Sequence, residues 1–378
     1  MRVCSLASVK NRIVLGEPLA FSVRDEGQLL LLARGQVIAD EAQLEELFRR
    51  GARVEIAELA QSVAPPRRRE SAERSLEQLA EDWEQSPHAL RRALSAAPEH
   101  LAAAVHAASD QLLGLIQRAP NLALAQVVRH PSAGAGHYGV NHSIHAATAC
   151  RAAANFLGWS EAEQRRAFQA ALTMNLSMVE LQGKLADQVS PLTSLQREAI
   201  QDHPRRSAEM LAAAGIEDSD WLHAVAQHHE VPDGSGYPQG LTDITELAQL
   251  LRYADVYTAR LSSRANRPAM SAQQAGRELH QMAAESPLAG ALIKAFGIFP
   301  PGSLVRLSSG EMGLVVRNGD KAYHPLVSAL THTDGEPRRK PLLRDSARAD
   351  HSVVALLSAQ NLPMRLSDER VAALIGAH

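Results

Sequence analysis

The apolar positions change their period twice along the chain. In the first 60 residues they come in short runs, RIVLG (12–16), LAFSV (19–23) and LLLLARGQVI (29–38), split by Gly, Pro and Asp-Glu-Gly. Short apolar runs between turn residues predict strands. DEAQLEELFRRGARVEI (40–56) then predicts a short helix, a glycine stop and another strand. From Ser75 to about Ile298 the apolar residues recur at i, i+3 and i+4, as in HLAAAVHAASDQLLGLIQ (100–117), IHAATACRAAANFLG (144–158) and EQRRAFQAALTM (163–174). That period predicts helices. Ser160 with Glu163 is a capping-box start, and SPLTSLQREAIQDHP (190–204) predicts a helix between a Ser/Thr cap and a proline stop. After FPPG (299–302) the pattern alternates, and SLVRLSSGEMGLVVRNGD (303–320) predicts a β-hairpin with SSGE and NGD turns. LSDERVAALIGAH (366–378) closes the chain as a short helix.

These elements predict a mainly α protein with a small N-terminal α+β module (1–61), a charged linker with helices (62–118), a helical domain (119–298) and a β-rich C-terminal extension with a terminal helix (299–378). SVAPPRRRESAERS (62–75) is rich in Pro and charge, as a linker is. Its PRRRE could touch a phosphate, although three arginines beside two prolines suit a solvated hinge.

Composition adds constraints. The 378 residues are 45% apolar but only 4% aromatic, so the core must be built from Ala, Leu, Val and Ile. The net charge of −3 gives no ground for nucleic-acid or bulk membrane binding. Two cysteines, Cys4 and Cys150, do not make a disulfide scaffold in a chain of this length. No apolar run approaches the ~18 residues of a membrane span. A cytoplasmic, reducing setting is expected.

The chemistry concentrates in HHEVPDGSGYPQGL (228–241). Neighbours on a helix point about 100° apart. His228 and His229 can therefore serve a metal cluster, since imidazole suits iron, nickel and zinc. Asp233, Gly234 and Gly236 supply a tight turn, and Pro238 holds Tyr237 extended. Taken alone, the stretch is equally a helix end and a turn.

HHE-x-x-DG-x-GYP-x-GL resembles the signature of the HD-GYP family of cyclic di-GMP phosphodiesterases. The resemblance covers roughly residues 130–300. It implies an all-helical HD-superfamily fold that binds two or three ions, usually iron or manganese, to activate water against a phosphodiester. HPRRSAEML (203–211) resembles the family segment with a metal-binding histidine, here His203, with Ser207 in place of a glycine. LRYADVYTARLSSRANRPAMS (251–271) places Asp255 at the metal-binding aspartate and Arg264 and Arg267 at two phosphate-holding positions. HSIHAATACRAAANFLG (142–158) resembles the opening helix, with His142 at its histidine; His145 is one turn beyond. The resemblance also implies a partner-contacting role, toward diguanylate-cyclase (GGDEF) proteins, for the loop of Asp233, Gly234, Gly236, Tyr237 and Pro238.

The namesake pair departs from the pattern. Aligned through Pro191-Leu192-Thr193 and His203, the family's His-Asp falls on Met174-Asn175 and its lysine on Met178. Gly183-Lys184 lies out of register. A bridging carboxylate gives an anionic oxygen to each of two ions, whereas Asn175 has one neutral carbonyl. Met174 offers a soft thioether, a poor ligand for hard ions, and Met178 removes a cation that could stabilise phosphate charge. His203, His228, His229 and Asp255 are then expected to hold at most one divalent ion, iron or manganese. The favoured expectation is a catalytically impaired signalling protein that binds cyclic di-GMP or a GGDEF partner, with homodimer formation open through the helical linker. The alternatives are an active phosphodiesterase with a rebuilt site, and a structural interaction module with a vestigial pocket.

Overall fold

The computed structural model describes residues 3–13, 15–19, 21–55, 68–129 and 138–377. The chain forms two compact units, Met1–Ser75 and Leu76–His378.

In the first unit, strands β1 (Val3–Ser5), β2 (Val23–Arg24), β3 (Leu30–Leu32) and β4 (Arg53–Glu55) make an antiparallel sheet in the order β1-β4-β2-β3. Helix α1 (Glu41–Arg49) begins where the Asp40 carboxylate accepts the Gln43 N–H at 2.8 Å. Gly51, at φ +65°, turns the chain back into β4, as the sequence pattern predicts. Phe21, Val23, Ile38, Leu44 and Val54 form the core. The strand expected at RIVLG is absent among its described residues. Leu6–Arg12 is instead a 3₁₀ helix started by the Ser5 hydroxyl, and Gly16 (φ +83°) sits in a turn. An apolar run this short fits either element, and local capping decides.

Helix α2 (Arg68–Leu94) starts inside the stretch expected as linker. RRESAERSLEQLAED is composed of strong helix formers, which outweigh its charge. Residues 62–67, including the prolines, lie outside the described residues. Helices α3 (Pro98–Arg118), α4 (Pro120–Arg129), α5 (Tyr138–Phe156), α6 (Glu161–Thr173), α7 (Val179–Asp187), α8 (Ser194–Ala213), α9 (Ser219–Gln227), α10 (Glu246–Leu261), α11 (Ala272–Met282) and α12 (Pro287–Phe296) follow. The predicted capping box at Ser160 is formed, and the predicted Ser/Thr cap before α8 is Thr193, which makes a full capping box with Gln196.

Helix α5 is the hub, packed against α4, α6, α7, α10 and α12. It is not one-sided: Ala146, Ala147, Ala149, Ala153 and Ala154 are all fully buried. A helix apolar all round must be enclosed, and alanine lets its neighbours approach closely. Gly139 completes this, since a Cβ there would overlap the Val179 carbonyl of α7. Helix α8 does not stop at Pro204 as expected but continues to Ala213.

The C-terminal strands β5 (Leu304–Leu307), β6 (Met312–Arg317), β7 (Leu326–Thr331), β8 (Pro337–Asp345) and β9 (Val353–Leu357) form an antiparallel sheet in the order β8-β7-β6-β5-β9. The predicted hairpin is β5–β6. One face (Leu304, Met312, Leu314, Val316) joins the helical core, and the other (Val305, Leu307, Val315, Val327) forms a small core of its own. The terminal helix α13 (Asp368–Gly376) packs on β6 and α4. The fold is mainly helical with two small antiparallel sheets, as the sequence predicts.

Glu311, 1% exposed, pins the hairpin to β8. It accepts from Arg338 at 2.8 Å, Arg344 at 2.7 Å and the Ser309 hydroxyl at 2.9 Å. Burial pushes its carboxyl pKa up, but these hydrogen bonds outweigh burial and bring it down to about 2. Its stabilising effect is therefore complete above the unfolded carboxyl pKa of about 4.3 and is lost as pH falls toward 2. Glu311→Gln should cost about 1.5–3 kcal/mol at pH 7 and much less near pH 2. Urea titrations at both pH values check this, and equal costs would contradict it.

Candidate functional site

Two helix carbonyls set the site. In α8, Pro204 has no N–H, so the Ile200 carbonyl four residues back has no helical donor. His203 Nδ1–H donates to that oxygen at 2.6 Å. At the end of α9 the last carbonyls also lack helical partners, and His228 Nδ1–H donates to Val225 O at 2.7 Å. A carbonyl can only accept, so both imidazoles carry their proton on Nδ1. The two Nε2 atoms face each other at 3.2 Å.

Burial, followed by the neighbouring His228, lowers the His203 pKa to about 3. Burial likewise lowers His228 and holds His229 well below the usual imidazole range. The rings are neutral at pH 7, so the facing Nε2 atoms are two lone pairs and not a hydrogen bond. That pair is unfavourable by itself but suits two donors to one cation, with bonds of about 2.0–2.1 Å. His229 completes a group whose ligand atoms all lie within 4.8 Å of one another. Its ring stacks on Tyr237 at 4.6 Å between centroids and 19° between planes.

The site opens into a cavity of about 230 Å³, lined by His203, His229, His142, Asp255, Tyr138, Arg264 and Tyr237, with Asn175, Met178, Gln182, Leu185 and Ile200. Asp255, on α10, is outside the tight histidine group, and its Oδ1 accepts from His142 Nε2 at 2.7 Å. Burial disfavours the carboxylate, but the bond from His142 more than compensates and keeps its pKa below the usual range. His142 was placed by resemblance alone; its pairing with Asp255 spans 113 residues and was not legible in the sequence. Tyr138 was also missed. It stacks on His142 (12° between planes), and its hydroxyl accepts from Arg264 Nε at 2.9 Å. His145, one turn further along α5, is buried but does not line the cavity.

The two arginines separate. Arg264 lies over the Tyr138 ring, 5.2 Å from its centroid, in the cavity wall. Arg267 donates to the Ala259 carbonyl at 2.5 Å and does not line the cavity. The residues at the departing positions separate as well. Met174 is fully buried in the hydrophobic core, whereas Asn175 and Met178 face the cavity. Asn175 Nδ2 and Gln182 Oε1 are buried without a protein partner among the described residues. Lys184 is exposed and absent from the cavity wall. Ser207 binds this segment through its hydroxyl, which accepts the Ser177 N–H and donates to Ser177 Oγ, both at 3.1 Å; Ser177 Oγ in turn donates to the His203 carbonyl at 3.1 Å.

The 230–241 loop is tied to the same centre. Glu230, 1% exposed, accepts from Gln239 N–H at 2.7 Å and Leu241 N–H at 3.0 Å. Asp233 holds Ser235 N–H at 2.9 Å, and Gly234 (φ +75°) and Gly240 (φ +69°) make the turns. The Tyr237–Pro238 bond is cis. Tyr237 points inward onto His229, while Asp233 stays exposed.

A helical domain with a histidine cluster at a helix end, an aspartate on a neighbouring helix and a Gly-Tyr-Pro loop is an HD-type domain, and the HD domain family model matches residues 115–288. This part of the chain carries an HD domain, and its histidine and Gly-Tyr-Pro segments are similar to those of the HD-GYP family. The chain is 29% identical over 198 residues to the cyclic di-GMP phosphodiesterase PA4108 of Pseudomonas aeruginosa, covering 51% of this chain and 48% of that protein. The chain thus spans about half the length of this curated relative. Among solved structures, it is similar to Bd1817, an HDG"Y"P protein from Bdellovibrio bacteriovorus, at 14% identity and a TM-score of 0.45, over 77% of this chain and 97% of that one. No described helix is long and apolar enough to cross a membrane.

Gly236 packs against the Glu230 and Val231 backbone, where a Cβ would overlap. Gly236→Ala should therefore cost about 1–3 kcal/mol. It should also raise amide exchange at Gln239 and Leu241, the two N–H groups held by Glu230. Unchanged exchange at both amides would show that the loop does not depend on this close approach.

Proposed function

We propose that this protein is an HD-GYP-type receptor for cyclic di-GMP that holds one divalent ion, iron or manganese, and hydrolyses the nucleotide poorly or not at all. The observation that carries this reading is the pair of bare Nε2 atoms 3.2 Å apart, beside a cavity wall that has Asn175 where a bridging carboxylate would be needed. His203, His228 and His229 are the residues that would hold the ion, with Asp255 on the wall of the same cavity. A bound ion would supply positive charge to a phosphoryl oxygen.

The remaining roles fall to the chain's own side chains. Arg264, held by Tyr138, presents a fixed guanidinium to a phosphate. Asn175 Nδ2 and Gln182 Oε1 offer an unused donor and acceptor in the same cavity. At about 230 Å³ the cavity is below the ~300–1,000 Å³ of a whole-ligand pocket. It suits the phosphodiester, leaving the bases at its mouth. The inward stacking of Tyr237 on His229 ties the loop to the pocket, so a GGDEF partner would meet exposed Asp233 before Tyr237.

A second reading, an active phosphodiesterase, is favoured by one observation. His142, whose Nε2–H goes to Asp255, has its Nδ1 buried without a protein partner among the described residues, a nitrogen beyond the three clustered histidines.

Elemental analysis and calorimetry with manganese should give one ion per chain. Cyclic di-GMP should bind without being consumed over hours. Two ions per chain with steady turnover would establish the second reading, and no binding of either would leave a structural module. Arg264→Ala should weaken nucleotide binding roughly ten- to hundredfold, the loss of about 1.5–3 kcal/mol expected for a charge-assisted hydrogen bond. Arg267→Ala should change it little, since that guanidinium is committed to the Ala259 carbonyl.

A further inference from the structure

We infer that Pro204 is a positioning residue for the histidine centre and acts by what it lacks. This rests on the metal-binding reading above, but its structural part can be tested without metal. In a regular helix the Ile200 carbonyl would accept the N–H of residue 204. Proline has none, and its ring also pushes that carbonyl away from the helix axis. The freed oxygen is the one that accepts His203 Nδ1–H at 2.6 Å. Pro204 is itself buried in the interior of α8, and the helix continues for nine residues beyond it. It therefore neither starts nor ends the helix, and its place inside carries the usual penalty of an interior proline.

The local return on that penalty is one oriented ring. With Nδ1–H committed to Ile200, His203 can only present Nε2 as a lone pair, toward His228 Nε2 at 3.2 Å. His228 reaches the same state differently. Its carbonyl acceptor, Val225 O, is in the last turn of α9, where helical donors run out. One histidine is set by a helix end. The other sits mid-helix, where the carbonyl's own helical donor is missing because residue 204 is a proline. A second tie, from Ser177 Oγ to the His203 carbonyl at 3.1 Å, holds the backbone but leaves the ring free to turn. The ring orientation thus depends on the Ile200 carbonyl, and that carbonyl depends on Pro204.

The test is Pro204→Ala in the full chain. Alanine restores an N–H aimed at Ile200 O, in competition with His203 Nδ1–H. Three readouts are taken: thermal melting of the metal-free protein, the His203 tautomer by nitrogen-15 NMR, and manganese affinity by calorimetry. The expected result is a melting temperature that is unchanged or raised. His203 should shift from the pure Nδ1–H tautomer to a mixture, and manganese affinity should drop ten- to hundredfold, the usual cost of losing a partner behind a ligand. A variant that keeps the pure tautomer or the original affinity overturns the inference. So does one that loses affinity together with a clear drop in melting temperature, because that marks general disruption of α8. If the unmutated protein takes up no manganese, the functional reading fails, and the tautomer comparison alone decides the role of Pro204.

Discussion

The centre of this protein is organised by a conflict. Two neutral imidazoles are held with their lone pairs facing at 3.2 Å, an arrangement with no hydrogen bond to recommend it. It persists because each ring is fixed from behind by a backbone carbonyl with no other donor, Ile200 in one case and Val225 in the other. The helical core supports this in turn. Alanine-lined α5 brings His142 and Tyr138 close to Asp255 and Arg264, and α8, α10 and His229, just past the end of α9, meet around one cavity. The energy stored in the facing lone pairs is what a cation would relieve.

The positions where this chain departs from the HD-GYP pattern are not equivalent in space. Met174 has moved into the apolar core and is at home there, so a histidine at that position would have to be buried in a hydrophobic setting. Asn175 faces the cavity and keeps a polar, uncharged presence. Met178 lines the cavity with a thioether in place of a cation. Ser207 compensates locally, because its hydroxyl bonds to Ser177 in the middle of the altered segment. The segment is thus well built as a wall, with its turn anchored to α8.

The helices, the C-terminal hairpin, the capping box at Ser160 and the Ser/Thr cap before α8 were legible as local periods or motifs, and the clustering of His203 with His228 and His229 through the family resemblance. What was not legible comes from contacts between distant residues or from local rules that tertiary structure overrides. The His142–Asp255 bond joins positions 113 apart, and nothing in either segment announces it. Tyr138 and Gln182 belong to no motif. Pro204 marked a helix end by its propensity, yet α8 passes through it, and His203 donates to the carbonyl that the proline leaves without its helical donor. RIVLG had the composition of a strand, but the Ser5 cap had already begun a 3₁₀ helix before it.

Glu230 has a further consequence. Its carboxylate closes the chain on itself, from the residue after His229 round to Gln239 and Leu241. The Gly-Tyr-Pro loop is therefore a ring with an imidazole next to its clasp, and Tyr237 rests back on that imidazole. The exposed turn at Asp233 and the stacked pair of Tyr237 and His229 are thus parts of one hydrogen-bonded ring, so the outer face of the loop and the ring of a clustered histidine share a single backbone closure.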